Sequence, residues 1–292
     1  MRVEQDNDGR RIYVRQSWLN DALMCPERAR LLAEFPESRR ENDSALMGTA
    51  VHAGIEQVLN SEVQPDDIGD FCVGWFRSKQ AQLRDEGKDV FVTNTDPKNW
   101  DTHIASMAEA WVRDIYPHVP LGGQTEVKFE VKVAESEVQG YKEIPYDLYF
   151  EGTADYVHRS GLWDWKTAAR KYYEAEKQSQ NIQSAVYAAA LTSLGMVDYA
   201  VNFNFGVMIR NASSTGQIVN VTRTERHSAW VIEQTISLVN SILLARTHLT
   251  SNQRWVMNDQ HQLCSERWCP VWSKCKGSFM SDTTTDTEVS NG

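Results

Sequence analysis

Four of the five cysteines sit near opposite ends of the chain. Cys25 lies in Met24-Cys25-Pro26, and Cys264, Cys269 and Cys275 form a C-x4-C-x5-C trio. If these thiols serve one centre, the fold must bring its two ends together, and that excludes most simple arrangements of a chain of 292 residues. The count is odd, and Met1 to Arg15 is polar and charged with no apolar stretch of the kind that exports a protein. A disulfide framework is therefore not expected, and metal ligation is the leading use of the four. Three late thiolates leave one position open. Cys25 closes it if the N-terminal helix folds back, giving a cluster held by four cysteines. The local rival is zinc on His261, Cys264, Cys269 and Cys275, and three unligated thiols are the plain alternative. Cys72, alone in Phe71-Cys72-Val73, reads as a small core residue.

Composition narrows the class. The apolar share of 41% and charged share of 24% suit a soluble globular protein. The longest run of small or apolar residues, Ala185 to Leu191, is far too short to span a bilayer, so no membrane partner is expected and the cytoplasm is the expected location (the host's, if the chain is phage-encoded). The net charge of −10 differs from that of a simple DNA-binding module. It does not exclude a nuclease, which needs carboxylates for a cation and positive potential only near its cleft. Residues 281–292 are polar and acidic and are expected to be a disordered tail.

Periodicity predicts an α/β fold. Helices are expected over 17–32, interrupted at Cys25-Pro26, and over 47–59, 66–86 and 101–118. After Gly122-Gly123 the period changes, and Glu126 to Val133 alternates as a half-buried strand does. Strands follow over 146–158 and 161–166, then a long helix over 172–194, a strand pair over 201–209 and 218–224, and a last helix over 226–248. Strand, strand, strand, helix, strand, strand, helix implies a mixed central sheet flanked by helices. The expected divisions are a helical N-terminal part over 1–121, a core over 122–250, a cysteine-rich region over 251–280 that joins the termini, and the tail.

The chemistry centres on the second and third strands. Asp164 and Lys166 are two apart, so both project from one face while Trp163 and Trp165 pack on the other. Asp155, in Gly152-Thr153-Ala154-Asp155, ends the preceding strand, and a short turn can set the two strand ends side by side. Two converging carboxylates suit a hard cation such as Mg²⁺. The adjacent lysine can orient a water and offset charge on a phosphate. An exposed Asp–Lys ion pair on a surface hairpin is the bland alternative. His52 shares a helix face with Ile55, Glu56 and Leu59 and is either a core histidine or an imidazole ligand, which would fit Mn²⁺ better than Mg²⁺. Gln183 and Tyr187 lie at i, i+4 on one helix face, as site residues or as one solvated and one packed side chain.

The motifs together resemble the PD-(D/E)XK nucleases of the RecB type, most of all the CRISPR-associated iron–sulfur exonucleases and their phage relatives. The resemblance runs from Ser17 to Cys275. It rests on Ser17 with Cys25-Pro26, Gly48 with His52, Gly152 with Asp155, Asp164 with Lys166, Gln183 with Tyr187, and the late cysteine trio. The chain departs from it in spacing the first two late cysteines C-x4-C rather than C-x2-C. The resemblance implies a restriction-endonuclease-like core, a divalent cation (Mg²⁺ or Mn²⁺) on His52, Asp155 and Asp164, a catalytic Lys166, and Gln183 and Tyr187 lining the site or touching nucleic acid. It also implies a 4Fe–4S cluster on Cys25, Cys264, Cys269 and Cys275.

The expected activity is a metal-dependent DNA exonuclease acting on single strands or DNA ends, with a homo-oligomer or recombination and repair proteins as further partners open to it. The alternative is a non-catalytic nucleic-acid-binding or assembly subunit with a structural zinc or iron–sulfur site. Arg170, Lys171 and the arginines at 28, 30, 39 and 40 are candidate backbone contacts, and Trp18 or Trp75 could stack bases.

Overall fold

Strict alternation over Glu126 to Val133 belongs to a longer strand, β3 (Gln124–Ala134), lying antiparallel to β6 (Asp147–His158). The computed structural model describes residues 1–6, 9–39, 41–88, 90–93, 95–134, 138–139, 142–143, 145–248 and 256–277. They pack as two units. One comprises residues 1–16 and 41–236, the other 17–40 and 237–292. The expected tail, 281–292, lies outside the described residues. Among the described residues no helix is long and apolar enough to cross a membrane.

The larger unit is built on a mixed sheet. A hairpin of β1 (Arg2–Asp6) and β2 (Gly9–Arg15) starts it, and β2 runs parallel to the first half of β6. The polar opening of the sequence gave no sign of this hairpin. Only Ile12, Tyr13 and Val14 are apolar and buried, and so short a run has no readable period. Two short strands, β4 (Val138–Gln139) and β5 (Lys142–Glu143), pair only with each other. A tight turn joins β6 to β7 (Gly161–Ala168), which pairs in parallel with β8 (Val201–Ile209), and β9 (Gly216–Arg223) closes that edge.

In chain order the helices α1 (Gln16–Met24) and α2 (Pro26–Glu34), of the smaller unit, come first, broken at Cys25-Pro26 as expected. Then follow α3 (Asp43–Leu59), α4 (Ile68–Asp85) and α5 (Trp100–Asp114). The helix α3 starts a turn earlier than its apolar pattern suggested, because Asn42 caps it by accepting from the Ala45 N–H. One face of the sheet presents Tyr156, Trp163, Trp165 and Met208, which join Met47, Val51, Ile55, Phe76, Ile104 and Trp111 in one core. Cys72 is fully buried there, and burial pushes its thiol up to about 12.

The expected long helix over 172–194 is two: α6 (Glu174–Gln180) and α7 (Ile182–Ser193). Asn181 separates them in an extended conformation and caps α7 by accepting from the Ser184 N–H at 2.7 Å. The joint is held by Arg223 of β9, which is 1% exposed. Its guanidinium donates to Ser184 Oγ at 2.7 Å and to the carbonyls of Gln178 and Lys177 at 2.9 and 2.6 Å. These carbonyls end α6 and would otherwise have no helical partner. A final helix, α8 (Glu225–His248), follows.

Arg223→Met should lower the stability of the fold by about 3 kcal/mol, since buried acceptors that lose a charged donor keep their desolvation cost. Thermal and urea unfolding followed by circular dichroism measure this. Arg223→Lys should recover only part, because one ammonium cannot span all three acceptors.

Candidate active site

The strand β6 has more length than any one neighbour uses. On one edge β3 pairs with it from Leu148 to Val157. On the other edge β2 takes Asp147 to Glu151, and β7 takes only Tyr156 to His158. Residues 152–155, the Gly-Thr-Ala-Asp motif, therefore face a gap in the sheet. Beyond Trp163 the strand β7 parts from β6 on one edge, while β8 pairs with its other edge from Leu162 to Ala168. At the split the Trp165 N–H has no strand to donate to, and the Asp155 carboxylate accepts it at 2.7 Å. Asp155 is thus fixed beside Asp164 and Lys166 by a backbone group that the divergence itself leaves free.

Asp164 is 1% exposed. One of its oxygens accepts from Gln183 Nε2 at 2.6 Å, and the other lies 2.6 Å from Lys166 Nζ. Burial pushes Asp164 up to about 6, with Lys166 opposing and Asp155 adding to the shift. Burial likewise raises Asp155, against the pull of Lys166 and the Trp165 N–H. Burial disfavours the charge on Lys166, but Asp164 and Asp155 overcome it and hold the ammonium well above its ordinary range. Two withdrawn carboxylates thus share one lysine, and the site is short of positive charge.

The helix α3 brings His52 in from above. Its Nδ1 stands 3.5 Å from Asp155 Oδ2. Burial, then Lys166, push the imidazole down to about 4, so it is neutral at physiological pH and has a lone pair to give. Gly48, one turn earlier, makes this approach feasible. A Cβ there would lie 2.9 Å from Thr167 Oγ1, so a larger residue would force α3 away from β7. Gly152 has a parallel reason: a Cβ would lie 2.8 Å from the Phe129 ring opposite it. Phe129 in turn meets Tyr187 edge to face, with centroids 5.4 Å apart. Burial, with Asp164 close by, pushes the Tyr187 hydroxyl up to about 12, so it stays protonated as a donor.

The structure therefore brings His52, Asp155, Asp164, Lys166, Gln183 and Tyr187 to one place. It adds Glu126, which sequence reasoning passed over as an ordinary strand residue. In the β3–β6 register Glu126 falls opposite Asp155, yet its φ is +48°. A non-glycine residue rarely adopts that conformation, and like charges opposite each other on paired strands repel. Partial burial of its carboxyl, with Asp155 and Glu56 near, pushes Glu126 up to about 7. It lines, with His52, Asp155 and Lys166, a groove of about 520 Å³. No local signal marked it, since its place opposite Asp155 is set by strand pairing.

As donors, two carboxylates and a neutral imidazole suit a divalent cation. Among the described residues, however, no three His, Cys, Asp or Glu side chains surround one point as ligands would. At the groove the reason is visible: Lys166 and Gln183 hold the oxygens of Asp164.

The smaller unit holds all four of the other cysteines as free thiols. Its segments meet through the Glu27 N–H, which donates to the Val256 carbonyl at 3.2 Å, and through Asn258 Nδ2, which donates to the Met24 carbonyl at 3.0 Å. Cys269 and Cys275 pack against Leu31, Leu32 and Val271. Burial raises the Cys269 thiol, and the neighbouring Cys264 and Cys25 add to this. Cys275 Sγ sits 3.2 Å from Met257 Sδ. The donors thus have the right chemistry for a thiolate-held metal centre and share one unit, but they are not gathered around a point.

Other expectations fare less well. Trp18 is buried and offers no face to a base, while Trp75 is partly buried against the core. Arg28 pairs with Asp21, and Arg30 pairs with Glu27 and Glu34. Arg170 and Lys171 are exposed. Position 40 lies outside the described residues.

A mixed sheet that splits around an Asp, an Asp-x-Lys and a helical histidine defines the restriction-endonuclease-like class. The family model of the PD-(D/E)XK nuclease superfamily matches residues 16–276, nearly the whole chain. The chain belongs to that superfamily, and its class is that of a nuclease. Among solved structures, a Eubacterium rectale protein provisionally named an exonuclease is 11% identical over 77% of this chain and 74% of its own, with a TM-score of 0.44. That likeness is too weak to carry an argument. No curated protein matches the chain.

A carboxyl that holds its proton more tightly in the folded state stabilises the fold only while protonated. The contribution of Asp164 should fall away as pH rises through about 6. In chelator, melting temperature should therefore drop over that range. Mn²⁺, competing with the proton, should raise it more at pH 7.5 than at pH 5. Asp164→Ala should remove most of this difference in differential scanning fluorimetry.

Proposed function

We propose that the chain is a divalent-metal-dependent DNA exonuclease acting on single strands or strand ends, with His52, Asp155 and Asp164 holding Mg²⁺ or Mn²⁺. The observation that carries this reading is Asp164, buried between Lys166 and Gln183 beside Asp155. Nothing in the packing of a structural hairpin calls for two desolvated carboxylates with one lysine between them, and hiding them costs stability. When bound, the cation would polarise the scissile phosphate and its attacking water.

The remaining roles follow from the chain's own groups. Water attacks phosphorus and the P–O bond to the leaving nucleoside breaks, giving a phosphate monoester and a hydroxyl. Lys166 stays protonated, so it is no base. Its ammonium orients the water and offsets negative charge growing on the phosphoryl oxygens. Gln183 keeps Asp164 in place, and Tyr187 supplies a hydroxyl donor at the same wall. Neutral His52 accepts no proton until the medium is acidic.

The test is digestion of 5′- and 3′-labelled single- and double-stranded DNA with Mg²⁺ or Mn²⁺. Asp164→Ala should abolish cleavage. Lys166→Ala should lose at least about 100-fold in rate while Mn²⁺ affinity by calorimetry changes little. A folded Asp164→Ala protein cutting at the wild-type rate would refute the site assignment.

The same reading gives Cys25, Cys264, Cys269 and Cys275 a structural 4Fe–4S cluster. Its support is the chemistry of four cysteines in one unit, with Cys264 and Cys25 close enough to act on the Cys269 thiol. Protein purified without oxygen should be brown and contain iron and acid-labile sulfide. Cys25→Ser should lose the colour as Cys275→Ser does, and Cys72→Ser should keep it. Colourless protein holding one zinc that survives Cys25→Ser would point to His261 instead.

A further inference from the structure

The groove that holds the carboxylates is lined also by Ser44, Thr49, Thr167 and Arg210. Arg210 follows β8 directly, and its N–H donates to the Ala168 carbonyl at 2.8 Å, which fixes its backbone beside the end of β7. The strands β7 and β8 are parallel, so Arg210 stands at their carboxyl ends, where open sheets of this kind place ligands. Ala168 is two residues beyond Lys166, about 7 Å along the strand. That offset sets Arg210 to one side of the reacting centre.

The guanidinium of Arg210 is half-buried, and among the described residues it has no ion pair within contact distance. The opposite charge that acts on it is Asp43. Asp43 Oδ1 accepts from the N–H groups of Ser44 and Thr93 and from the Thr93 hydroxyl, while its Oδ2 is buried without a hydrogen-bond partner. Burial lowers Arg210, and Asp43 does not fully offset it. On the other side the charge of Arg210 presses on His103, whose Nδ1 has no hydrogen-bond partner. An arginine partly withdrawn from water, with hydroxyls on the same wall and no bound carboxylate, suits an oxyanion.

We propose that the part of the groove beside Arg210 is a phosphate subsite, in which Arg210 forks onto the phosphodiester next to the one being hydrolysed, with Thr167 as a hydroxyl donor beside it. The proposal rests on the nuclease reading and deepens it. It assigns the acidic chain a fixed cation for holding the DNA strand in register, distinct from Lys166, which serves the reacting phosphate. Such contacts position a strand without reading its sequence.

Binding of a fluorescein-labelled single-stranded oligonucleotide in EDTA, over a series of NaCl concentrations, tests this without any turnover. Arg210→Gln should weaken binding about tenfold, since hydrogen bonds to charged groups are worth about 1.5–3 kcal/mol. The slope of log affinity against log salt should shrink by about 0.7, the value for one phosphate contact on a single strand. Arg210→Lys should keep the slope and lose part of the affinity, because the fork is gone but the charge stays.

A scan of single methylphosphonates near the oligonucleotide end, with wild-type protein, covers the case in which Arg210→Gln does not fold. One neutralised linkage next to the first cleaved one should cost about the same tenfold. Unchanged affinity and slope in a variant that melts earlier would overturn the subsite and return Arg210 to neutralising Asp43. A flat methylphosphonate scan would overturn it too. Wild-type protein that neither binds nor cuts DNA would sink the nuclease reading itself, an outcome distinct from either.

Discussion

The hydrogen bond from the Trp165 N–H to Asp155 marks the point on which the site depends. It exists because β7 parts from β6 after three residues, while β8 holds its other edge. A sheet that stayed paired would give this N–H to a carbonyl and leave Asp155 no reason to turn inward. The divergence opens the gap in which Asp155, Asp164 and Lys166 converge, and the helix α3 fits over it only because Gly48 has no side chain. The packing beneath is rigid: Trp163 and Trp165 lie against Trp111 and the helices of the core. The sheet's aromatic face holds β7 so that its charged face need not be held by its own charges.

Those charges are set against one another. Burial disfavours both carboxylates, and one ammonium cannot satisfy two. Structural ion pairs are usually solvated or matched; this one is neither, and Glu126 adds a third acid in a strained backbone conformation. Strain and like-charge crowding of this kind persist where the surrounding fold imposes them, and they cluster at functional sites. The net charge of −10 therefore does not describe the groove, whose lining sets Glu126 and Asp155 with Lys166 and Arg210.

The second unit answers a different problem. Residues 17–40 and 237–292 are far apart in sequence but pack together around Leu31, Leu32 and Val271. That apolar cluster is small, and closing so long a loop costs chain entropy. A shared metal centre on the four cysteines, as proposed, would supply stability that the cluster alone does not.

Some of this was legible before any coordinates. Alternation located β3, because one-sided burial imposes a period of two. The same-face rules placed Asp164 with Lys166 and Gln183 with Tyr187, since side-chain direction along a strand or helix is fixed by local geometry. The break at Cys25-Pro26 was written in the proline. Other features had no local cause. The hairpin at residues 2–15 acquires its buried strand by lying beside β6, and the break at Asn181 is held by Arg223, some forty residues later. Glu126 falls opposite Asp155 through strand pairing, and the parallel pairing of β7 and β8 sets Arg210 at the groove. The sequence by itself determined which elements form and which side chains share a face, because those depend on neighbours three or four residues away. Only the tertiary structure decided where the sheet splits, because that depends on how the distant strands β2 and β7 share one edge of β6.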